Sequence, residues 1–328
     1  MGLKKIKDLF SKELKKPKNQ GKMEILNKKN LLDEYLNFNL KGLNLTKIKD
    51  LKIIIDTGNA VTGIIIPRLS KKIDCQIFPL FTELDSHFPN RGLDCAQVKN
   101  LQKLQKEVLK RKANLGVAFD GDGDRIAFVD EKGKIISSNL IAALISEILL
   151  RDNPNQKIVY TVLGSRIISE TIKKNKGIPI ISEVGHASIK QKMIETQALF
   201  GAEFSGHYYL KNHYFCEVPF WIFLKLLELI SQKNQTISQL IKPFKKYPFL
   251  LFEFKTKRPQ EKILRLKKHF SDGKILEIDG LKVDYPDWGF SIRSSKTEEN
   301  LLRIAIEAKT SSFLQKKVKI IKSLINFQ

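Results

Sequence analysis

The sequence predicts an α/β protein: two three-layer α/β domains followed by a small α+β C-terminal domain. Three observations lead there. Short apolar runs of the buried parallel-strand kind, starting with Lys52-Ile53-Ile54-Ile55-Asp56, alternate with helix-patterned stretches. The same alternation restarts near Lys134, which marks a second unit of the same type. From about Tyr247 the strands crowd together with only two helices among them, as in a small α+β domain.

These breaks divide the chain into residues 1–49, 50–133, 134–245 and 246–328. The first segment is lysine-rich and reads as short helical pieces, with an amphipathic stretch from Leu31 to Leu40. The second is predicted to run strand 52–56, a glycine turn at Thr57–Gly63 opening a helix, strand 76–80, helix 98–112 and strand 115–119. The third is predicted as helix 139–150, strand 157–163, helix 166–174, strand 178–182 and an apolar helix 218–231. Strands at 249–255, 274–278, 289–293 and 302–307 complete the expectation.

Composition narrows the class. With 328 residues and 42% hydrophobic content the chain can bury two or three cores. No apolar run is long enough to cross a bilayer, and Met1-Gly2-Leu3-Lys4-Lys5 lacks a secretory apolar segment, so a cytoplasmic protein without a membrane partner is expected. Cys75, Cys95 and Cys216 are odd in number and far apart, which suggests neither a disulfide framework nor a zinc site. A formal charge of +23 ordinarily points to nucleic acid, but 48 of the 58 basic residues are Lys and only 10 are Arg. That balance reads as a solvated lysine coat, with no specific nucleic-acid partner expected.

The chemistry concentrates first in Asp120-Gly121-Asp122-Gly123-Asp124-Arg125, at the end of the run Leu115 to Phe119. Two like charges about 4 Å apart repel by roughly 4 kcal/mol at an intermediate dielectric, so three aspartates on alternate positions call for a cation between them. Magnesium fits best, since it takes a few carboxylates and completes its octahedron with water and phosphate oxygens. A calcium loop of the EF-hand type would place Glu131 twelfth, but its sixth position requires Gly and here holds Arg125. A solvated acidic turn is the plainer alternative. Arg125 beside the carboxylates points to an anionic substrate, most simply a phosphate.

Two further loops carry usable groups. Glu203-Phe204-Ser205-Gly206-His207 sets a carboxylate, a hydroxyl and an imidazole on one turn, suited to sugar hydroxyls and to moving a proton. Arg293-Ser294-Ser295-Lys296-Thr297 is cationic and hydroxyl-rich, suited to a phosphate. Taken singly, the first could be an ordinary surface loop and the second a polar hairpin.

Taken in order, the aspartate loop, the Gly185-His186 loop, the Glu203-x-Ser205-Gly206-His207 loop and the Arg293-x-Ser295-x-Thr297 loop resemble the α-D-phosphohexomutases, the phosphomannomutase and phosphoglucomutase superfamily. The resemblance spans roughly residues 30 to 310 and takes in Asp56-x-Gly58-Asn59 and Phe88-Pro89-Asn90. It implies that Asp120, Asp122 and Asp124 hold Mg²⁺ and that Arg125 sits beside the reacting phosphate. It also implies that Glu203 and Ser205 bind sugar hydroxyls, that His207 and His186 contact substrate or shuttle protons, and that Arg293, Ser295 and Thr297 grip the non-reacting phosphate.

The departures from the family pattern are specific. The family's first domain, with its Thr-Ala-Ser-His-Asn-Pro nucleophile loop, has no counterpart here, and Ser86 lies at the Phe-Pro-Asn motif of the second domain instead. Leu163 replaces a frequent Lys or Arg, and Glu183 a frequent Lys or Pro. Cys216-Glu217 stands where Asp-Asp or Asp-Gly is usual, Lys296 replaces Gly or Asn, and Glu299 a Pro. The expectation is therefore a phosphohexomutase acting on a hexose phosphate with Mg²⁺, truncated, inactive alone and dependent on a separate nucleophile-bearing domain. The alternative is a non-catalytic phosphosugar- and Mg-binding protein.

Overall fold

The computed structural model describes residues 2–10, 19, 21–25 and 28–326. They fall into two compact units, residues 1–35 and 36–328. In the first, α1 (Gly2–Phe10) leaves Ile6, Leu9 and Phe10 exposed, and α2 (Lys28–Leu40) begins. The helical reading of the N-terminal segment holds for these two pieces; residues 11–18, 20 and 26–27 lie outside the described residues. The expected stripe from Leu31 to Leu40 is only half realised, because Leu31 is exposed whereas Leu36 and Leu40 are buried in the second unit.

The second unit opens with a five-stranded sheet. Strand β1 (Lys49–Asp56) leads through a short α3 (Ile66–Leu69) to β2 (Asp74–Leu80), and α4 (Gln102–Arg111) precedes β3 (Leu115–Phe119), β4 (Ile126–Asp130) and β5 (Ile135–Ile136). Their order is β2-β1-β3-β4-β5, with β1 parallel to β2 and β3, and β4 antiparallel to both its neighbours. Ile53, Ile54, Ile55 and Val117 are fully buried, as expected of strands covered on both faces. The helix expected after Gly63 is broken into a 3₁₀ turn, Val61–Ile64, and α3, with Pro67 in the first turn of α3.

The next sheet repeats this plan. After α5 (Ser138–Asp152) come β6 (Lys157–Thr161), α6 (Arg166–Lys174), β7 (Ile178–Ser182), α7 (His186–Thr196), β8 (Phe200–Ala202), β9 (Tyr208–Leu210) and β10 (Cys216–Glu217). The order β10-β9-β8-β6-β7 is the first sheet's order read from the other edge, again three parallel strands followed by two antiparallel ones. The aspartate loop joins β3 to β4 and the Glu203–His207 loop joins β8 to β9, so both occupy the point where parallel pairing gives way to antiparallel.

Helix α8 (Pro219–Lys233) is apolar nearly all round, which marks a helix buried on several sides. Phe220 stacks on Phe119 of β3, ring centroids 4.7 Å apart, immediately before Asp120. Each such ring contributes about 1.5–3 kcal/mol by burial, so this contact helps to fix the root of the aspartate loop. A short α9 (Ile237–Leu240) follows, closed by a capping box from Thr236 and Gln239.

The C-terminal part comprises β11 (Phe249–Lys255), α10 (Pro259–His269), β12 (Lys274–Leu276), β13 (Leu281–Asp284), β14 (Trp288–Ser294), β15 (Leu301–Ala308) and α11 (Ser311–Asn326). Its sheet is antiparallel throughout, in the order β11-β15-β14-β13-β12. Both helices bury one stripe against a core that includes Leu266, Val283, Phe290, Ile304 and Ile321. The predicted α/β class with an α+β end is therefore the observed one. Among the described residues, no helix is long and apolar enough to cross a membrane.

Candidate active site

Asp120 sits at the end of a fully buried strand, and its loop folds back so that Gly123 and Arg125 donate backbone N–H bonds to Oδ1, each at 3.1 Å. Gly123 has φ +75°, the left-handed region where a side chain would be strained. The turn carries one carboxylate oxygen from each of Asp120, Asp122 and Asp124 to within 4.8 Å of one another. Among the described residues this is the one cluster of His, Cys, Asp and Glu groups so arranged. Its donors are hard oxygens, graded from buried Asp120 through half-buried Asp124 to exposed Asp122, and this set fits Mg²⁺.

The electrostatics of the loop agree with a cation's place. Burial pushes the Asp120 carboxyl up to about 6, with the neighbouring Asp124 charge adding to the rise against the opposing effect of Arg125. A hydrogen bond from His207 instead holds Asp124 down at about 2. Arg125 spreads its guanidinium between Asp120 (Nε to Oδ2, 2.5 Å) and Asp94 (Nη1 to Oδ1, 2.8 Å).

The second loop arrives from the other sheet. His207 Nε2 lies 3.3 Å from Asp124 Oδ2, while its Nδ1 lies 2.7 Å from Ser205 Oγ. Burial disfavours the imidazolium, but the Asp124 hydrogen bond and the Glu203 and Asp124 charges outweigh it, so the His207 pKa is raised. Glu203 is buried: Tyr209 donates its hydroxyl to Oε1 at 2.6 Å, and the Gly185 N–H donates to Oε2 at 3.2 Å. Beside that glycine, at the start of α7, His186 is exposed. The backbone also joins the two loops: Ile126 N–H donates to Gly206 O at 3.2 Å. Gly206 has φ +94°, and a Cβ there would lie 2.7 Å from Ile126 O, so no larger residue fits.

Arg293, Ser295 and Thr297 lie at the end of β14 and in the loop that follows. The Arg293 side chain is only 2% exposed and is turned onto Asp279, Nε to Oδ2 at 2.8 Å. Ser295 Oγ accepts from the N–H groups of Thr297 and Glu298, which shapes the loop. The structure thus brings Asp120, Asp122, Asp124, Arg125, Glu203, Ser205 and His207 into one linked group. Arg293, Ser295 and Thr297 stand on a separate loop that meets this region through Glu183 and Val184.

Sequence reasoning passed over Arg91, one position beyond the Phe88-Pro89-Asn90 motif. Its side chain, 4% exposed, donates to Asp56 Oδ1 at 2.8 Å and to Phe119 O at 2.6 Å, tying β1 to the root of the aspartate loop. Asn90 donates to Asn59 Oδ1 at 2.8 Å, so the two quoted motifs hold each other. Asp94, Tyr209 and Asp279 were also missed. For Asp279 a signal existed, since Asp279-Gly280 is a turn dipeptide.

Comparison with known proteins gives a consistent placement. Residues 33–133 match the family described as phosphoglucomutase/phosphomannomutase, alpha/beta/alpha domain II, and residues 137–247 match domain III of the same family. A phosphomannomutase of Methanocaldococcus jannaschii is 35% identical over 300 residues, covering 91% of this chain and 66% of that protein. A solved phosphoglucomutase/phosphomannomutase family protein from Burkholderia thailandensis superposes with a TM-score of 0.81 at 30% identity, over 90% of this chain and 64% of that one. The N-acetylphosphoglucosamine mutase of Aspergillus fumigatus, solved with GlcNAc-6P and magnesium, shares the fold at 15% identity and a TM-score of 0.61, over 90% of this chain and 64% of that one. The chain spans less than two thirds of the length of each of these relatives. With two consecutive domain matches and the loops in the family's order, the chain belongs to the α-D-phosphohexomutase superfamily, and the family's first domain is not among the parts matched.

Proposed function

We propose that this chain is the metal- and phosphosugar-binding part of a phosphohexomutase, which moves a phosphoryl group between positions of a hexose phosphate. The observation that carries the reading is the 3.3 Å contact between Asp124 of the aspartate loop and His207 of the sugar loop, which joins a cation site to a group able to move a proton. Asp120, Asp122 and Asp124 would hold Mg²⁺, whose charge would offset that of the phosphate being transferred. Arg125 would stand beside that phosphate. Glu203 keeps unfilled lone-pair positions for sugar hydroxyls beyond the two donors it has, and Ser205 offers a hydroxyl next to it. His207, with His186 at the rim, would exchange a proton with the sugar oxygen. Arg293, Ser295 and Thr297 would take the phosphate that does not react.

Phosphoryl transfer of this type runs through an enzyme phosphoserine, and we assign that serine to a separate domain. Two facts support this: the family matches begin with domain II, and the relatives are longer than this chain. Reduced, separated cysteines and phosphorylated substrates fit a cytoplasmic setting.

The test has two parts. Calorimetry should detect Mg²⁺ binding that is lost in Asp122→Ala; equal affinity in the variant would remove the metal site. The purified chain should turn over no hexose 1-phosphate, even with Mg²⁺ and a hexose 1,6-bisphosphate primer, until a serine-bearing first domain is added. Turnover by the chain alone would show the nucleophile to be misplaced. Binding without turnover after that addition would favour the non-catalytic phosphosugar-binding alternative.

A further inference from the structure

Two positions that depart from the family pattern, Glu183 and Lys296, meet in space although 113 residues separate them. Lys296 Nζ lies 2.9 Å from Glu183 Oε2, 3.1 Å from Val184 O and 3.4 Å from Asp279 Oδ1. Asp279 also accepts from the Val184 N–H at 3.0 Å and from Arg293, whose Nη2 is 3.5 Å from the same Oδ1 that faces Lys296. The Lys296 ammonium and the Arg293 guanidinium thus share one carboxylate oxygen. Asp279 is fixed from behind, because Gly280 (φ +117°) packs so close that a Cβ would lie 2.2 Å from Ile292 O. Glu183 is different: its side chain is 53% exposed and, among the described contacts, its other donor is the neutral Ser188 hydroxyl, 3.5 Å from the same Oε2, so leaving Lys296 costs it one exposed ion pair and one long hydrogen bond.

We propose that Lys296 is a further phosphate-binding cation of the Arg293-Ser295-Thr297 loop and that Glu183 is its internal competitor, displaced when a phosphate binds. The inference rests on the assignment of that loop to a phosphate. Its distinct content is that a carboxylate from the neighbouring domain occupies the ammonium beforehand and lowers affinity for every anion the loop takes. An exposed ion pair of this kind is weak, so its displacement changes affinity only a few-fold. A charged hydrogen bond to phosphate lost with Lys296 changes affinity by more.

The experiment titrates inorganic phosphate and glucose 1-phosphate, separately, into the full chain and its variants with Mg²⁺ present. Glu183→Gln is expected to tighten both by about threefold, and Lys296→Met to weaken both by about tenfold. In the Lys296→Met background, Glu183→Gln should give at most half its gain. An equal gain in both backgrounds would reduce Glu183 to a general repulsive charge and overturn the inference, as would unchanged affinity in Glu183→Gln or no binding of either anion by the parent chain. Binding of inorganic phosphate with the expected variant effects, but no preference for the sugar phosphate, would uphold the inference while removing the phosphosugar reading. Both substitutions lie on exposed side chains, and matching thermal unfolding of parent and variants confirms that the fold is retained.

Discussion

Gly58 shows how one atom's absence positions a loop. Its φ is +60°, and a Cβ there would lie 2.7 Å from the Arg91 guanidinium, which donates to Asp56 and to Phe119 O. Gly58→Ala should therefore both strain the backbone and push Arg91 off its carboxylate. A loss of about 1–3 kcal/mol in urea unfolding is expected, and a loss within about 0.3 kcal/mol would show that Arg91 relocates freely. His207 and Asp124 give a pH signature. A raised imidazole pKa stabilises the fold fully below the ordinary histidine value, about 6.5, and that contribution fades as pH rises through the raised folded value. A depressed Asp124 stabilises above the ordinary value of about 3.9 and loses its contribution as pH falls through about 2. In magnesium-free buffer the melting-temperature gap between parent and His207→Gln should thus be widest between about pH 4 and 6.5. A gap that grows above this window would contradict the assigned charge pair.

Among the elements, α6 is the fastening between the middle and C-terminal sheets. Arg166, in its first turn, donates backbone N–H and Nε to Glu307 of β15 at 2.9 and 3.2 Å, and Nη2 to Trp288 O at 2.7 Å. Ser165, the N-cap of α6, donates its hydroxyl to the same buried Glu307. Removing one partner of a buried pair is costly, so Arg166→Ala should destabilise the protein by about 3 kcal/mol. Hydrogen exchange should accelerate first in β13 and β14, and uniform acceleration along the chain would deny the fastening role. The helix itself was legible residue for residue from its pattern at 166–174, as were β3, β7 and β11. Strands β8, β9 and β10 were not, because two or three residues are too few to show a period of two. Nor could spacing reveal that Arg91 serves Asp56 or that Lys296 serves Glu183, since such pairings exist only after the chain has folded. The site's carboxylates and histidines, with Arg125 and Ser205, were readable because each loop is short and local; Arg91 and Asp94, which brace the aspartate loop, come from a distant stretch of the chain.

Over the whole molecule, the formal charge of +23 belongs mainly to lysines. Any retention of DNA by the chain should be independent of sequence and should collapse between about 50 and 200 mM salt, as counterion release dictates. Sequence-selective retention that survives at high salt would mean a dedicated nucleic-acid surface.

The bond from Ile126 N–H to Gly206 O has a further consequence. The first two sheets are stitched at their working loops through main chain, whereas the C-terminal sheet is fastened by Arg166 and Lys296 and by apolar side chains around Leu163 and Phe249. Ionic strength screens the exposed Lys296–Glu183 pair, while the buried Arg166–Glu307 pair and the main-chain bond are far less sensitive to it. Spin labels placed across the first two sheets should therefore report one sharp separation from low to high salt, while a pair reaching from the middle sheet to the exposed Lys296 loop should broaden, which makes the first pair the internal standard for the second.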